Sequence, residues 1–241
     1  MFFSLPQTLL WDFDGTLVDS QPAIMATIRT TLAIHGRPQP RAEEIRAIIG
    51  YGLAKGFQLL DPGLPPAMVD RLVDTYRQHY PQADQSTQLY PGALSLLSTI
   101  HGLGIPMFLV SNKTQTALEP ALERLGIRSF FSQVIGESPG QPLKPDPALF
   151  QHRLRPHIPE SQNCLLIGDT ATDIRFARNI GIPVAWASYG YGDPQECLSL
   201  RPDHILPDLE SLGGMFQSFT SISTPAGKSS FINASIVFED G

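Results

Sequence analysis

The chain has 241 residues, of which 42% are hydrophobic and 17% charged, a balance that predicts one or two globular domains with a sizeable core. The formal net charge is −6, and the absence of a basic block argues against nucleic acid or an anionic membrane as a partner. No apolar run reaches the roughly 18 residues that a membrane-spanning helix needs.

Two further features favour a cytoplasmic protein. Cys164 and Cys197 are the only cysteines, and two scattered cysteines do not make a disulfide framework. The N-terminus has no basic region, and Pro6 interrupts it before an apolar core of signal-peptide length forms. We expect a monomer or homodimer in the cytoplasm.

The first predicted element is a short buried strand, residues 8–11, and two aspartates follow it directly. Asp12 and Asp14 face the same way if the chain stays extended, because side chains alternate along a strand. Burying two carboxylates is costly unless a cation or a proton pairs with them. This placement indicates a metal or catalytic site. The alternative interpretation is a turn at Asp14 and Gly15 that Asp12 caps.

Residues 19–83 show helical periodicity without strand-like runs. The predicted helices cover residues 23–34, 42–49, 53–60 and 67–80. We interpret residues 19–83 as a helical bundle inserted after the first strand, with residues 1–18 and 84–214 forming the core domain.

From residue 90 onward, short apolar strands alternate with helices. Strands are predicted over residues 105–110, 133–135, 164–167, 182–186 and 204–206. Helices are predicted over residues 92–102, 114–125, 147–154 and 171–180. This alternation is typical of an α/β fold, a Rossmann-like parallel sheet with helices on both faces. The candidate polar residues fall just after strands, where open parallel sheets build their sites.

The segment 215–241 departs from this pattern. It is rich in serine and threonine and ends in an apolar stretch, residues 231–238. We expect a loosely docked C-terminal extension or an added edge strand, and its composition indicates no function.

Three later segments complete a four-part pattern. Ser111 and Asn112 end an apolar run, Lys144 precedes a proline, and Asp169 and Asp173 follow a third run as Gly-Asp-x-x-x-Asp. Singly, Ser111 suits an N-cap, Lys144 a solvated loop and Asp169 a turn. In this order after the Asp-x-Asp motif, and over residues 5–214, they resemble the haloacid dehalogenase-like superfamily.

The resemblance implies a phosphatase that works through an aspartyl-phosphate intermediate. Asp12 would be the nucleophile, and Asp14 would protonate the leaving group and then activate water. Ser111 and the backbone amide of Asn112 would hold phosphoryl oxygens, while Lys144 would pair with Asp12 and the phosphoryl charge. A pyrophosphatase or a β-phosphoglucomutase-type sugar phosphomutase is the enzymatic alternative. A non-catalytic binding or regulatory module is the alternative of another class, which the intact set of charges disfavours.

The implied cofactor is Mg²⁺, a hard cation that prefers oxygen ligands. The resemblance gives Asp12, Asp169 and the backbone carbonyl of Asp14 as ligands, with Asp173 orienting a metal-bound water. A first-turn acid stabilised by the helix dipole is an equally simple interpretation of Asp173. Lys113, next to the Ser-Asn pair, is as readily interpreted as a solvated lysine as a member of the site.

In this family the helical insertion is a mobile cap that closes over the site. The loop Gly50, Tyr51 and Gly52 would enter the site and set substrate choice. Lys55, the only lysine of the cap, is expected either to meet a substrate carboxylate or to be solvated. Residues 16–20, 111–113 and 189–192 most resemble phosphoglycolate phosphatases, so the expected partner is a small phosphorylated metabolite.

Overall fold

A parallel sheet of six strands forms the centre of the fold. The structure is a computed structural model that describes residues 6–158, 163–213 and 216. The strands in chain order are β1 Thr8–Trp11, β2 Val18–Asp19, β3 Gln88–Leu89, β4 Met107–Thr114, β5 Gln133–Glu137, β6 Cys164–Gly168, β7 Val184–Ala187 and β8 His204–Leu206. The large sheet has the order β5-β4-β1-β6-β7-β8, while β2 and β3 form a separate antiparallel pair.

Eight α-helices accompany these strands in the described residues. They are α1 Gln21–Ile34, α2 Ala42–Arg46, α3 Leu53–Leu60, α4 Pro66–Asp84, α5 Ala93–Gly102, α6 Gln115–Arg124, α7 Ala171–Ile180 and α8 Pro194–Ser199. Short turns of 3-10 or π type occupy Arg128–Phe130, Phe150–Leu154 and Arg155–His157. In the described part of the chain, no helix combines the length and apolarity needed to cross a membrane.

Strand β1 shows why the sheet is covered on both faces. All four of its residues are buried, and its side chains alternate between two hydrophobic clusters. Leu9 and Trp11 pack into the cluster that contains α5 and α6, while Leu10 packs into the cluster that contains α7. A strand buried on both faces needs a continuous apolar run rather than alternation, which is the pattern of a parallel sheet. The predicted α/β architecture is confirmed.

Helices α1–α4 lie between β2 and β3 and have a core of their own, and we call them the helical insertion. That core includes Ile28, Ile45, Phe57 and Leu72, all nearly fully buried. The pair β2–β3 brings the two connecting segments side by side, with Val18 opposite Leu89. The chain therefore leaves the sheet and returns to it through one two-stranded neck.

The structure departs from the expected elements in several places. The helix expected over residues 147–154 is a π turn at Phe150–Leu154, followed by a 3-10 turn at Arg155–His157. Prolines at 145, 147 and 156 crowd this segment, and each removes a backbone donor. Helix α4 runs four residues past its expected end, to Asp84, with Pro81 inside it. The C-terminal extension lies outside the described residues apart from Phe216, which is buried against the α5 side of the sheet.

Three elements were not expected from the sequence. The two-residue strands β2 and β3 are too short to carry a periodic signal. Helix α8 is capped by Asp193, whose carboxylate accepts a hydrogen bond of 2.7 Å from the Glu196 N–H. An aspartate followed by proline and then, three residues on, by glutamate is a helix-start signal that the sequence carries at residues 193–196.

Tyr191 ties the core to the start of the insertion. Its hydroxyl oxygen accepts hydrogen bonds from the backbone N–H groups of Ser20 (2.7 Å) and Gln21 (2.9 Å), at the first turn of α1. Tyr189 makes a simpler contact, donating its hydroxyl to the carbonyl of Thr16 at 2.6 Å. Removing an acceptor that serves two largely buried donors costs more than removing one donor from a carbonyl.

We expect Tyr191→Phe to lower the free energy of unfolding by about 1–3 kcal/mol, the penalty for unsatisfied buried donors. Urea denaturation followed by circular dichroism measures it. Tyr189→Phe is the matched control, with an expected loss of about 0.5–1.5 kcal/mol. Equal losses in the two variants would contradict the role given to the Tyr191 hydroxyl.

Candidate active site

The strand order brings the predicted polar residues to one edge of the sheet. β1 lies between β4 and β6, so the carboxyl ends of these three strands adjoin. Asp12 follows β1, Ser111 lies in the last half of β4, and Asp169 follows β6. The connection after β1 leads to β4 on one side, whereas the connection after β6 leads to β7 on the other side, and open α/β sheets form their crevices between two such strands.

A buried ammonium group joins two of the predicted carboxylates. Lys144 Nζ lies 2.6 Å from Asp12 Oδ1 and 2.6 Å from Asp173 Oδ1. All three side chains are at least nine-tenths buried. Lys144 is therefore not a solvated loop charge. Burial by itself would lower the pKa of Lys144, but the two carboxylates outweigh it and raise that pKa, so the side chain stays protonated.

Asp173 has a second structural role at the start of α7. Its Oδ2 accepts hydrogen bonds from the Thr170 N–H (3.0 Å) and the Thr170 hydroxyl (2.7 Å). This is a capping box, in which Thr170 is the N-cap and Asp173 the third helical residue. The cap leaves Oδ1 to Lys144, so Asp173 both begins α7 and contacts the lysine of the cluster.

Asp169 is fully buried and held by groups from two other segments. Its Oδ1 accepts a hydrogen bond from the Thr16 hydroxyl at 3.2 Å, and its Oδ2 accepts one from the Tyr191 N–H at 2.7 Å. Gly190 packs directly against it, since a Cβ on Gly190 would lie 2.3 Å from the Asp169 Cβ. The glycine-rich segment 189–192 thus shapes the surroundings of Asp169.

Three carboxyl groups share this pocket with one ammonium group. Oxygens of Asp12, Asp169 and Asp173 lie within 4.8 Å of one another. Burial raises the pKa of Asp12 to about 7, with Lys144 opposing the rise and Asp173 adding to it. Burial, with Asp12 and Asp173 nearby, also holds the pKa of Asp169 well above its usual range. A set of oxygen donors with excess negative charge fits a hard divalent cation.

Ser111 and Asn112 both border the cavity above this cluster, but their side chains have different partners. Both line it, and the Ser111 hydroxyl oxygen accepts a hydrogen bond from the Lys113 N–H at 3.2 Å. The Asn112 side chain is engaged elsewhere: its Nδ2 donates to the carbonyls of Lys144 and Gly50, each at 2.9 Å, and its Oδ1 accepts the Lys144 N–H at 2.9 Å. Asn112 thereby fixes the backbone that carries Lys144.

Lys113 is a member of the site and not a solvated lysine. Its side chain is 8% exposed, and its Nζ lies 3.1 Å from Asp14 Oδ1 and 2.6 Å from the Tyr80 hydroxyl. The same Nζ stands 4.1 Å from the centroid of the Tyr80 ring. Tyr80 lies on α4 and stacks on Tyr76 at 5.3 Å. Asp14 is therefore held by a core lysine that also contacts the helical insertion.

The predicted specificity residues divide into two groups. Gly50 and Tyr51 line the cavity. Gly52 and Lys55 are not among the described residues that line it, and Lys55 is exposed on α3. Of the two alternatives for Lys55, this placement favours a solvated lysine, because Gly56 and Phe57, the next residues of α3, face inward.

Sequence reasoning missed the insertion's contribution to the cavity wall. Arg77, Tyr76 and Tyr80, all on α4, line the cavity beside Phe57. Arg77 Nη2 also reaches Glu137 Oε1 in the core at 3.5 Å. The spacing of 76, 77 and 80 is a helical face, but an amphipathic face does not reveal whether it packs on neighbours or borders a cavity.

Comparisons with known proteins decide the family. A profile described as haloacid dehalogenase-like hydrolase matches residues 9–187. The chain belongs to the haloacid dehalogenase-like hydrolases. The resemblance seen in the sequence is confirmed on this point.

Individual relatives are consistent with that family. A phosphoglycolate phosphatase of Pseudomonas syringae pv. tomato is 32% identical over 215 residues, covering 86% of this chain and 79% of that protein. One of Agrobacterium fabrum is 27% identical over 208 residues, covering 84% and 89%. The solved structure of a haloacid dehalogenase-like hydrolase from Streptococcus pneumoniae has a TM-score of 0.77 and 27% identity, covering 87% and 98%. The expected enzyme class, a phosphatase of this family, is confirmed.

We expect Lys144→Met to lower the free energy of unfolding at pH 8 by about 3–5 kcal/mol, because it leaves buried carboxylates without their counter-charge. Metal-free protein should be compared by urea denaturation. The loss should shrink at pH 5, where protonation neutralises the carboxyl groups and removes the repulsion.

Lys55→Met is the matched control for this variant. Its ammonium is exposed, so the free energy of unfolding should change by less than about 0.5 kcal/mol at either pH. A loss for Lys144→Met that did not depend on pH would point to packing instead of charge.

Proposed function

We propose that this phosphatase hydrolyses a small phosphomonoester through a phosphorylated Asp12, with Mg²⁺ as its metal. One observation carries the proposal. A buried carboxylate lies at the floor of a cavity, in contact with a protonated lysine and beside two further carboxylates. A cytoplasmic location and a small phosphorylated metabolite as partner belong to the same proposal.

Phosphoryl transfer to Asp12 is the first step. Phosphate esters hydrolyse slowly because an anionic nucleophile must approach an anionic phosphoryl group, so catalysis depends on positioning and on positive charge around the oxygens. Asp12 attacks phosphorus, and the bond from phosphorus to the ester oxygen breaks. Lys144, 2.6 Å from Asp12 Oδ1, orients the carboxylate and favours its ionised form. The Ser111 hydroxyl, on the cavity floor, binds a phosphoryl oxygen.

Asp14 acts as general acid in the first half of the reaction and as general base in the second. It gives a proton to the departing alkoxide, and then takes one from the water that attacks the aspartyl-phosphate, releasing phosphate and free Asp12. Its carboxylate lines the cavity and contacts Lys113, which keeps the group directed towards the space above Asp12. One carboxyl group at this point serves as acid and then as base.

The fit to Mg²⁺ follows from the donor set. Asp12, Asp169 and Asp173 offer oxygens and an excess of negative charge, and in the proposed set Asp12, Asp169 and the Asp14 carbonyl would hold the ion, with Asp173 nearby. When bound, Mg²⁺ neutralises phosphoryl charge and stabilises the charge that develops in transfer.

Three contacts support the interpretation of the helical insertion as a cap over this site. The Asn112 amide donates to the Gly50 carbonyl, Lys113 contacts Tyr80, and Arg77 contacts Glu137. Each joins the insertion to the core across the cavity. Closing these contacts excludes water from the phosphorylated carboxylate and strengthens the electrostatic interactions around it.

The nucleophile is tested by substitution. Asp12→Asn should lower kcat for any phosphomonoester by more than about 10⁴-fold, because the amide cannot attack phosphorus. Asp14→Asn should lower kcat by about 10²–10⁴-fold. The loss should be smaller in the first turnover of an aryl phosphate, because its aryloxide leaving group departs without needing a proton. Steady-state and single-turnover assays measure both. Asp70→Asn, at an exposed position of α4, is the control. Activity of Asp12→Asn within tenfold of the unmodified enzyme would refute the proposed nucleophile.

The metal is tested by its effect on stability. Mg²⁺ that binds only the folded chain should raise the free energy of unfolding, by about 2.7 kcal/mol at a hundred times its Kd. Thermal unfolding at rising Mg²⁺ measures the effect. Asp169→Asn should abolish the increase, while Asp70→Asn should preserve it. A Tm that does not change in Mg²⁺, Ca²⁺ or Mn²⁺ would contradict the assigned metal site.

A further inference from the structure

Two side chains carry positive charge among the described residues that line the cavity, and they differ in burial. Lys113, near the end of β4, is 8% exposed, whereas Arg77, on α4, is 46% exposed. Lys144 is held by two carboxylates and is not among those lining residues. Because water and salt weaken an exposed ion pair, Lys113 is the cation that would bind an anion in the cavity more strongly.

The ammonium of Lys113 retains donor capacity for a ligand. Its Nζ lies 3.1 Å and 3.3 Å from the two Asp14 carboxylate oxygens, which fits one N–H shared between them. A second N–H serves the Tyr80 hydroxyl at 2.6 Å, so the third has no partner among the described residues. In the first step of the proposed reaction Asp14 carries the proton that it donates, and the ammonium then has no charged partner there.

Lys113 also stands at a suitable distance from the phosphoryl group. It follows Ser111 by two positions in β4, and both side chains line the cavity. Side chains two positions apart lie on the same face of a strand, with their Cα atoms about 7 Å apart. When Ser111 binds a phosphoryl oxygen, the flexible stem of Lys113 can bring its ammonium to a second anionic group a short way along the same molecule.

We propose that Lys113 determines substrate specificity by binding the carboxylate of a short phosphorylated acid, in which one methylene separates the ester oxygen from that carboxylate. The inference rests on the proposed function and deepens it, because it assigns the substrate class and the residue that recognises it. Water and the ester give a hydroxy acid and inorganic phosphate. The bond between phosphorus and the ester oxygen breaks, and the carboxylate takes no part in the chemistry.

The rest of the cavity strengthens recognition by this one cation. The cavity has a volume of about 330 Å³, at the small end of the range for ligand pockets, which suits a short leaving group. Its walls include Ile24, Ile28 and Phe57, whose apolar side chains offer a carboxylate no hydrogen bond. A buried carboxylate is unfavourable without a counter-charge, and a charge-assisted hydrogen bond to Lys113 supplies it. An uncharged group of the same shape gains no such bond.

Tyr80 positions the ammonium from the side of the helical insertion. Its hydroxyl oxygen accepts a hydrogen bond from Lys113 Nζ, and its ring centroid lies 4.1 Å from the same atom. The ring of Phe13, in the core, lies 5.7 Å from Nζ. Because Tyr80 lies on α4, Lys113 is held in place only when the insertion is docked on the core.

A matched pair of substrates isolates the contribution of the carboxylate. Phosphoglycolate and its amide, phosphoglycolamide, have nearly the same shape, but the group at the end of the amide is uncharged. With the full chain and saturating Mg²⁺, kcat/KM for phosphoglycolate should exceed that for phosphoglycolamide by about ten- to hundredfold, the effect of a hydrogen bond to a charged group. We call this quotient the substrate ratio.

Variants at the two cations assign the effect. Lys113→Met should lower the substrate ratio at least about fivefold, because any disturbance of Asp14 affects both substrates and cancels in the ratio. Lys113→Gln, whose amide can still donate to Asp14 and Tyr80, should lower the ratio similarly and replaces Lys113→Met should that variant be unfolded. Arg77→Met should leave the ratio within about twofold of the original value. Thermal unfolding checks that each variant is folded at the assay temperature.

The positioning role of Tyr80 has its own matched control. Tyr80→Phe keeps the ring and removes the hydroxyl that Lys113 contacts, so the substrate ratio should fall about two- to fivefold. Tyr76→Phe removes the hydroxyl of the neighbouring ring, which also lines the cavity, and should leave the ratio unchanged. Equal ratios in these two variants would contradict the role given to Tyr80.

The outcomes separate this inference from the function on which it rests. A substrate ratio near one in the unmodified enzyme, or a ratio that the Lys113 variants do not change, would overturn the inference and leave the phosphatase intact. A ratio that collapses in Arg77→Met alone would also overturn it, because Arg77 would then bind the carboxylate. Absence of Mg²⁺-dependent turnover with every phosphomonoester would instead refute the proposed function.

Discussion

The structure around the candidate site depends on an excess of buried carboxyl groups over buried cations. Asp12, Asp169 and Asp173 meet at the edge of an apolar sheet, with Lys144 as the ammonium that contacts two of them. Hydrophobic packing alone would disfavour such a cluster. The fold compensates with specific donors: the Tyr191 N–H and the Thr16 hydroxyl at Asp169, and Thr170 at Asp173. What remains uncompensated suits a divalent cation.

The topology explains how distant segments supply these groups. β1 lies at the centre of the sheet, and its neighbours β4 and β6 are reached by crossovers on either side. Side chains that lie 99 to 161 positions after Asp12 in the sequence therefore meet near it. They are Ser111 and Lys113 from β4, Lys144 from a loop, and Asp173 from α7. The helical insertion begins just after β2, a few residues beyond β1, so it emerges beside the strand that carries Asp12. The cluster therefore forms where the strand order of the sheet changes direction, between β1 and β6.

Much of the fold was predictable because its signals are local. The continuous apolar run of β1 and the helical spacing of α3 and α7 gave their boundaries to within a residue or so. Elements governed by backbone chemistry were harder. The segment around Phe150–Leu154 has a helical apolar pattern, but the neighbouring prolines alter its hydrogen bonding. The two-residue strands of the neck exist through tertiary pairing, and no sequence window of that length carries a signal.

The acidic cluster was predictable from order and spacing, whereas the side chains that line the cavity above it were not. Lys113 contacts Asp14 only because β4 continues to Thr114 and directs the ammonium beneath Tyr80. Lys55 shows the converse: being the insertion's lysine said nothing about which side of α3 it occupies. Charge type can be inferred from a sequence, but the direction of a side chain around a cavity depends on helix packing.

The Asn112 side chain links the site directly to the helical insertion. Its one amide binds the carbonyl of Gly50, in the insertion, and both backbone polar groups of Lys144. Lifting the insertion breaks one of three hydrogen bonds on a planar group that cannot rotate without losing the others. One planar amide therefore connects the backbone of the insertion at Gly50 to the backbone that carries Lys144, the lysine in contact with Asp12.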